Sequence, residues 1–152
     1  MLEWLTAIRD AAARPPAPAL DQEISGHAVL LSGATMLTHN ALGGRTWCVV
    51  KFPFLIGRNS SRSNYAACDL YLADHEPYQV SRNHCKVSWV ASLEGFYVQD
   101  VGSRLGTVVN GLRIGKAATQ SMAPLRKGVN TILLGNEHSP FAFEVRLPKD
   151  LP

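Results

Sequence analysis

Two short clusters of hydrogen-bond donors stand out in this chain, and each lies beside an apolar run that predicts a β-strand. Gly57-Arg58 ends one such run, and Ser81-Arg82 comes just before the next. An arginine guanidinium is a rigid fork of donors that fits phosphate or carboxylate, and a serine hydroxyl adds a further donor. Ser81 and Arg82 could therefore donate to one anion. Taken alone, the Gly57-Arg58 pair also fits a structural salt bridge.

His84 lies three residues after Ser81, at the start of the predicted strand Cys85–Val90. We expect its side chain to be partly buried and to brace neighbouring loops through their backbone. Hydrolysis by a Ser-His pair would need an orienting acid and an oxyanion hole, and the sequence has no G-x-S-x-G elbow. The five histidines are also dispersed along the chain. The sequence therefore predicts no catalytic residue, no metal site and no cofactor.

The elements that must position these residues are short apolar runs separated by Gly, Asn, Ser and Pro, a pattern typical of β-strands. Such strands without intervening helices predict an antiparallel β-sandwich, with function carried by its loops. Asn110-Gly111 is a strong hairpin signal. The predicted strands are 28–31, 34–38, 46–52, 54–56, 69–72, 84–90, 95–100, 107–110, 131–134 and 141–147, and the loops of interest are 59–68, 75–82, 101–106 and 112–123.

The first 25 residues have a different pattern. Leu2, Leu5 and Ile8 recur at helical spacing, and a proline-rich stretch from 14 to 18 follows. Proline ends a helix, and repeated proline makes an extended, stiff linker. The helix could pack on the domain or serve as a handle for another chain. We therefore expect an amphipathic helix and linker over residues 1–25 and a single domain over 26–152.

Composition excludes several classes of protein. With 152 residues, 46% hydrophobic and 18% charged, the chain predicts one globular domain. It has no secretory signal and no apolar run long enough for a membrane span. We expect the three unpaired cysteines to be buried thiols of a cytoplasmic protein, or of a nuclear one if the source is eukaryotic. Between Arg45 and Lys127 the excess of positive charge is six, which favours an anionic partner, but aromatic and basic residues do not interleave as nucleic-acid binding requires.

Taken in order, G-R, then S-x-x-H, then D-x-x-S-x-x-G-T-x-x-N-G, the motifs resemble those of the forkhead-associated (FHA) domain family. The stretch Leu125-x-x-Gly128 followed by Thr131–Gly135 is also similar to a stretch of that family, and the resemblance covers about residues 34–147. It implies an FHA/SMAD-like antiparallel β-sandwich of about eleven strands. Its binding loops would cluster at one end and recognise phosphothreonine peptides.

The resemblance also implies roles for individual residues. Arg58, Ser81 and Arg82 match positions that contact the phosphate or the peptide. Asn110 matches an asparagine that pins a binding loop and can approach the peptide, so it is counted among the phosphopeptide-binding residues. A second group, which matches positions that shape the site, comprises Gly57, His84, Gly106 and Thr107. One position departs from the family: Leu105 stands where an asparagine commonly hydrogen-bonds the peptide main chain. Arg104, next to it, is expected to compensate in part, so we include it among the phosphopeptide-binding residues.

The expected function is therefore that of a non-catalytic module in Ser/Thr kinase signalling. Its partner would be a protein phosphorylated on threonine, which implies an upstream Ser/Thr kinase, and neither nucleic acid nor membrane is expected as a partner. The alternative that Leu105 keeps open is an FHA scaffold or assembly module that works without phosphate.

Overall fold

The computed structural model describes residues 27–60 and 66–148. The predicted N-terminal helix and proline-rich linker lie outside these ranges. Eleven strands and one short helix are present there, and no helix in the same ranges is long and apolar enough to cross a membrane. In chain order they are β1 (Val29–Gly33), α1 (Met36–Ala41), β2 (Trp47–Val49), β3 (Phe54–Arg58), β4 (Leu70–Leu72), β5 (Cys85–Val90), β6 (Gly95–Asp100), β7 (Thr107–Val109), β8 (Leu112–Ile114), β9 (Met122–Pro124), β10 (Gly128–Leu134) and β11 (Ala142–Leu147).

The strands form two sheets, with orders β2-β1-β11-β10-β7-β8 and β4-β3-β5-β6-β9. All pairs are antiparallel except β3 with β4, which run parallel. Burial alternates along β6 and β11, so that one face of each strand lies in the core and the other is more exposed to solvent. The predicted β-sandwich of about eleven strands is confirmed.

The core lies between the two sheets and is almost entirely aliphatic and aromatic. Fully buried side chains come from both sheets and include Leu31, Ile56, Leu72, Val87, Val98, Ile114, Ile132, Leu134 and Phe143. Burial of this apolar surface is the main stabilising contribution, at about 25 cal/mol for each Å² removed from water. The core makes the sandwich a rigid support for the loops at its ends.

Two expectations about secondary structure are wrong. Residues 34–38 were expected to form a strand, but α1 begins at Met36. Thr35 and Thr38 cap each other's backbone amides, and their hydroxyls donate to the carbonyls of Pro140 and Ala142, each at 2.6 Å. The helix is thus fixed by contacts with a segment about a hundred residues away. The predicted loop 112–123 contains strands β8 and β9, which at three residues each are too short to show a period.

Candidate functional site

The loop between β4 and β5 is joined directly to the end of β3. The Arg58 amide donates to the Ser81 carbonyl at 2.9 Å, and the His84 amide donates to the Ile56 carbonyl at 3.0 Å. A Cβ on Gly57 would lie 1.9 Å from the Arg82 carbonyl oxygen, a distance that backbone atoms cannot accommodate. Glycine at 57 is therefore required for the two donor clusters to lie side by side.

His84 joins the β4–β5 loop to the turn between β6 and β7. Its ring is fully buried; Nδ1 accepts from the Ser81 amide at 3.0 Å, and Nε2 lies 2.9 Å from the Gly106 carbonyl oxygen. Burial lowers the pKa of His84. The Gly106 hydrogen bond and the charges of Asp100 and Asp74 act in the opposite direction and raise that pKa, but burial is the larger effect. The neutral ring fits these contacts, because one nitrogen must accept while the other donates to a carbonyl.

The β6–β7 turn is organised from inside by the buried carboxylate of Asp100. One carboxylate oxygen accepts from the amides of Gly102 and Ser103, and the other accepts from the hydroxyls of Ser103 and Thr107. Gly106 has a φ of +90°, a conformation that glycine adopts without strain. Four donors on one buried carboxylate fix the shape of the turn and so the position of its exposed tip, residues 104 and 105.

The tip of this turn meets the β4–β5 loop at Ser81. The Arg104 amide donates to Ser81 Oγ at 2.9 Å, which leaves the hydroxyl proton of Ser81 available for another acceptor. The Arg104 guanidinium donates through Nη2 to the Tyr78 carbonyl at 2.9 Å. Arg58 donates through Nε to the Val80 carbonyl at 2.9 Å, and its Cζ lies 3.8 Å from the centroid of the Tyr78 ring. The fold thus brings Arg58, Ser81 and Arg104 together around Tyr78.

The other two predicted peptide-binding residues have different surroundings. Arg82 donates through Nε to the Ser60 hydroxyl at 3.1 Å, so its guanidinium lies toward the β3–β4 loop. Asn110, in the β7–β8 turn at the end of β7 away from Gly106, donates to Asn130 Oδ1 and accepts from the Thr131 amide. These hydrogen bonds hold the β7–β8 hairpin against β10, and none of them involves the Arg58, Ser81 and Arg104 cluster.

Three residues that sequence reasoning missed complete the frame of the site. Tyr78 carries the two arginine contacts. Asp74 accepts from the amides of Gln79 and Val80 and so shapes the loop that carries Tyr78. Arg113, on β8, donates to the Leu105 carbonyl at 2.7 Å and to the Gly135 carbonyl at 3.2 Å. No local sequence signal marks any of the three, because each acts on partners that only the folded chain brings near.

The cysteines add no nucleophile to this site. Burial raises the pKa of the Cys68 thiol to about 11 and also raises the pKa of Cys85, so both remain protonated at neutral pH. The expectation of three buried thiols is confirmed for Cys85 alone, because Cys68 is half-buried and Cys48 is exposed on the edge strand β2. Within residues 27–60 and 66–148, no group of three or more His, Cys, Asp and Glu side chains could hold a metal ion.

Comparisons with known proteins bear on the family and the fold of the chain. A family model described as FHA domain matches residues 54–135. FHA-1 of Rv1747 from Mycobacterium tuberculosis is 15% identical, with a TM-score of 0.55 over 81% of this chain and 98% of that one. The FHA domain of FhaA, solved in complex with the intracellular domain of Rv3910, is 25% identical, with a TM-score of 0.51 over 78% of this chain and 99% of that one.

The N-terminal FHA domain of Rad53p from S. cerevisiae, solved in complex with a phosphothreonine peptide, is 18% identical. Its TM-score is 0.51, and the match covers 79% of this chain and 93% of that one. No curated protein sequence shows significant similarity to the chain.

Proposed function

This chain belongs to the FHA domain family, and on that premise we propose that it is a non-catalytic module that binds phosphothreonine on a partner protein. A Ser/Thr kinase must then act upstream to make the ligand. The observation that carries the proposal is the convergence of Arg58, Ser81 and Arg104 at one end of the sandwich. The Rad53p domain solved with a phosphothreonine peptide and the FhaA domain solved with a partner protein support the ligand class.

We further propose that the domain extends beyond the part matched by the family model, over residues 26–152. Strands β1 and β11 lie outside the matched range, yet they pair with each other over four residues, and β11 pairs with β10 over six. Removing either strand would uncover the core face of its neighbour. Residues 1–25 are then a segment appended to the domain.

The donors of the site suit a phosphate in both charge and number. Phosphothreonine brings about −1.5 to −2 charges and three strong acceptor oxygens. Arg58 has no side-chain hydrogen bond through its two terminal nitrogens to residues 27–60 and 66–148, so both can reach a ligand. Each hydrogen bond to a charged group contributes about 1.5–3 kcal/mol, so a few of them supply much of the roughly 8 kcal/mol behind micromolar affinity.

The test is a titration of the domain with paired peptides. A degenerate phosphothreonine peptide library first selects a ligand, and the selected sequence is then titrated calorimetrically with threonine, phosphothreonine or phosphoserine at the central position. We expect the phosphothreonine peptide to bind at least about a hundredfold more tightly than the unmodified one, because the charge-assisted contacts exist only with the phosphate. Equal affinity for the two would show that phosphate is not what the domain recognises.

Leu105 is the feature that favours the alternative, an FHA scaffold that works without phosphate. Its side chain is half-buried at the tip of the β6–β7 turn and has no polar atom to offer a peptide backbone. Losing two neutral hydrogen bonds would weaken binding by about 1–3 kcal/mol. That loss lowers the affinity but leaves the charged contacts in place, so phosphothreonine binding remains the better-supported function.

Leu105→Asn is expected to tighten phosphothreonine-peptide binding about tenfold, because the new amide adds hydrogen bonds to the peptide main chain. The backbone of the turn should not move, since Arg113 holds the carbonyl of residue 105 whatever its side chain. Leu105→Ala is the control, since it removes the leucine without adding a donor. A calorimetric titration in which the Asn and Ala variants bind alike would contradict the prediction. If neither the wild type nor the Asn variant binds any phosphopeptide, the scaffold function is favoured instead.

A further inference from the structure

We propose that Tyr78 is a positioning residue that orients the guanidinium groups of Arg58 and Arg104 toward the phosphate of the ligand. The proposal rests on the proposed function, because it concerns the same bound anion. In this proposal the ring face of Tyr78 holds Arg58, at the end of β3. The backbone carbonyl of Tyr78 holds Arg104, in the β6–β7 turn.

The ring of Tyr78 fixes the orientation of Arg58. The Cζ atom of Arg58 lies 3.8 Å from the ring centroid, within the range of a cation–π contact, while Nε donates to the Val80 carbonyl at 2.9 Å. The ring contact holds the face of the guanidinium, and the hydrogen bond from Nε holds one of its edges. The opposite edge, with the two terminal nitrogens, is left for an acceptor, which is the geometry for two parallel hydrogen bonds to a phosphate.

The carbonyl of Tyr78 fixes the end of Arg104. Arg104 is exposed, and a free arginine side chain loses conformational entropy when a ligand immobilises it. Its Nη2 already donates to the Tyr78 carbonyl at 2.9 Å, and its amide donates to Ser81 Oγ. Part of the ordering cost is therefore met before the ligand arrives, which raises affinity by preorganisation.

Tyr78 can act in this way because its own loop is held on both sides. Asp74 accepts from the Gln79 and Val80 amides at 2.7 and 3.0 Å, directly after Tyr78. Gln79 Oε1 accepts from the Asn136 amide at 2.9 Å, which joins the loop to the segment between β10 and β11. The Tyr78 hydroxyl makes no hydrogen bond to any residue of 27–60 or 66–148, so the ring face is the part of the side chain that matters.

The test compares Tyr78→Phe with Tyr78→Leu in the full chain. The carbonyl of residue 78 remains in both variants, so the Arg104 contact is kept and the comparison isolates the ring. Phe keeps the negative ring face and should bind the selected phosphothreonine peptide as the wild type does. Leu lacks that face and should bind it about three- to tenfold more weakly, as expected for the loss of one cation–π contact. Neither variant should change the affinity for the unmodified peptide.

A second readout reports on Arg58 without any ligand. Because Arg58 Cζ lies 3.8 Å from the ring centroid, the ring current of residue 78 should shift the Arg58 Nε–H resonance in the free protein. That resonance should therefore move in Tyr78→Leu and stay nearly in place in Tyr78→Phe. This measurement separates the two hypotheses: if the wild type binds no phosphopeptide, the proposed function fails while the NMR comparison still tests the orientation of Arg58.

If Tyr78→Leu does not fold, a trifluorinated phenylalanine at position 78 replaces it, because that ring keeps its shape and loses its negative face. It should weaken phosphopeptide binding, and because the ring keeps the shape of phenylalanine, lost packing would not account for the loss. Two results would overturn the proposal. One is wild-type affinity or an unmoved Arg58 resonance in the Leu variant, or wild-type affinity in the fluorinated variant where the Leu variant does not fold. The other is an equal loss of affinity in the Phe and Leu variants, which would assign the effect to the hydroxyl.

Discussion

Replacing Arg58 by alanine is expected to weaken phosphothreonine-peptide binding at least about a hundredfold, the largest loss expected from a single ligand-facing side chain. The substitution would remove the two charge-assisted hydrogen bonds to the phosphate that we propose for Arg58, each worth about 1.5–3 kcal/mol. It also removes the hydrogen bond from Nε to the Val80 carbonyl, which costs the fold about 1 kcal/mol. Calorimetric titration together with thermal unfolding should therefore show a binding defect far larger than the small loss of stability.

Arg126→Ala is the matched control for this substitution. It removes the same charge, but the Arg126 side chain is exposed in the β9–β10 connection, and its two hydrogen bonds with Asn130 are made by backbone atoms that alanine retains. We expect wild-type affinity, apart from a small change in salt dependence. Should Arg126→Ala weaken binding as much as Arg58→Ala, general electrostatic attraction would account for the loss, and Arg58 would not be a specific contact.

Replacing His84 by alanine is expected to lower both stability and binding. The imidazole is fully buried, and its removal leaves the Ser81 amide without an acceptor, takes one donor from the Gly106 carbonyl and opens a cavity. These effects should lower the free energy of unfolding by about 3 kcal/mol and the unfolding temperature by about 10 °C. Because Ser81 and the β6–β7 turn lose their connection, phosphopeptide affinity should also fall even where the variant is folded. Chemical denaturation and titration of the same sample measure both effects.

His138→Ala is the control for the loss of a histidine, since that side chain is 83% exposed. The pH dependence adds an independent check. Burial lowers the pKa of His84 in the folded protein, so the unfolded chain binds the extra proton more readily. The stability that His84 contributes is complete above its unfolded pKa of about 6.5 and is lost as pH falls below that value. A His84→Ala variant with wild-type stability, wild-type affinity and the same pH profile would refute the bracing contacts.

Most of the longer strands could be predicted because the signals that set them are local, whereas the number of about eleven came from the family resemblance. Alternating burial along β6 and β11, and the Asn110-Gly111 turn, are visible in the sequence itself. The helix α1 could not be predicted, because the carbonyls of Pro140 and Ala142 that hold Thr35 and Thr38 belong to a distant segment. Local propensity does not contain such contacts.

Part of the candidate site could likewise be predicted from the sequence, and part of it could not. Gly57 and His84 were predicted to shape the site. A Cβ at position 57 would lie 1.9 Å from the Arg82 carbonyl oxygen, and the His84 ring contacts the Ser81 amide and the Gly106 carbonyl. The direction of each arginine could not be predicted. Arg82 lies toward Ser60 and Arg104 toward Tyr78, and that choice depends on which carbonyl or hydroxyl is within reach after folding.

The Asp100 carboxylate has a consequence for how this module could diversify. Because its four donors hold the β6–β7 turn from the interior, the side chains at the tip, exposed Arg104 and half-buried Leu105, contribute little to keeping the turn in shape. We expect their side chains to tolerate replacement, for example in a designed library, with little loss of stability. A library that varies positions 104 and 105 should therefore change ligand preference while the scaffold stays constant.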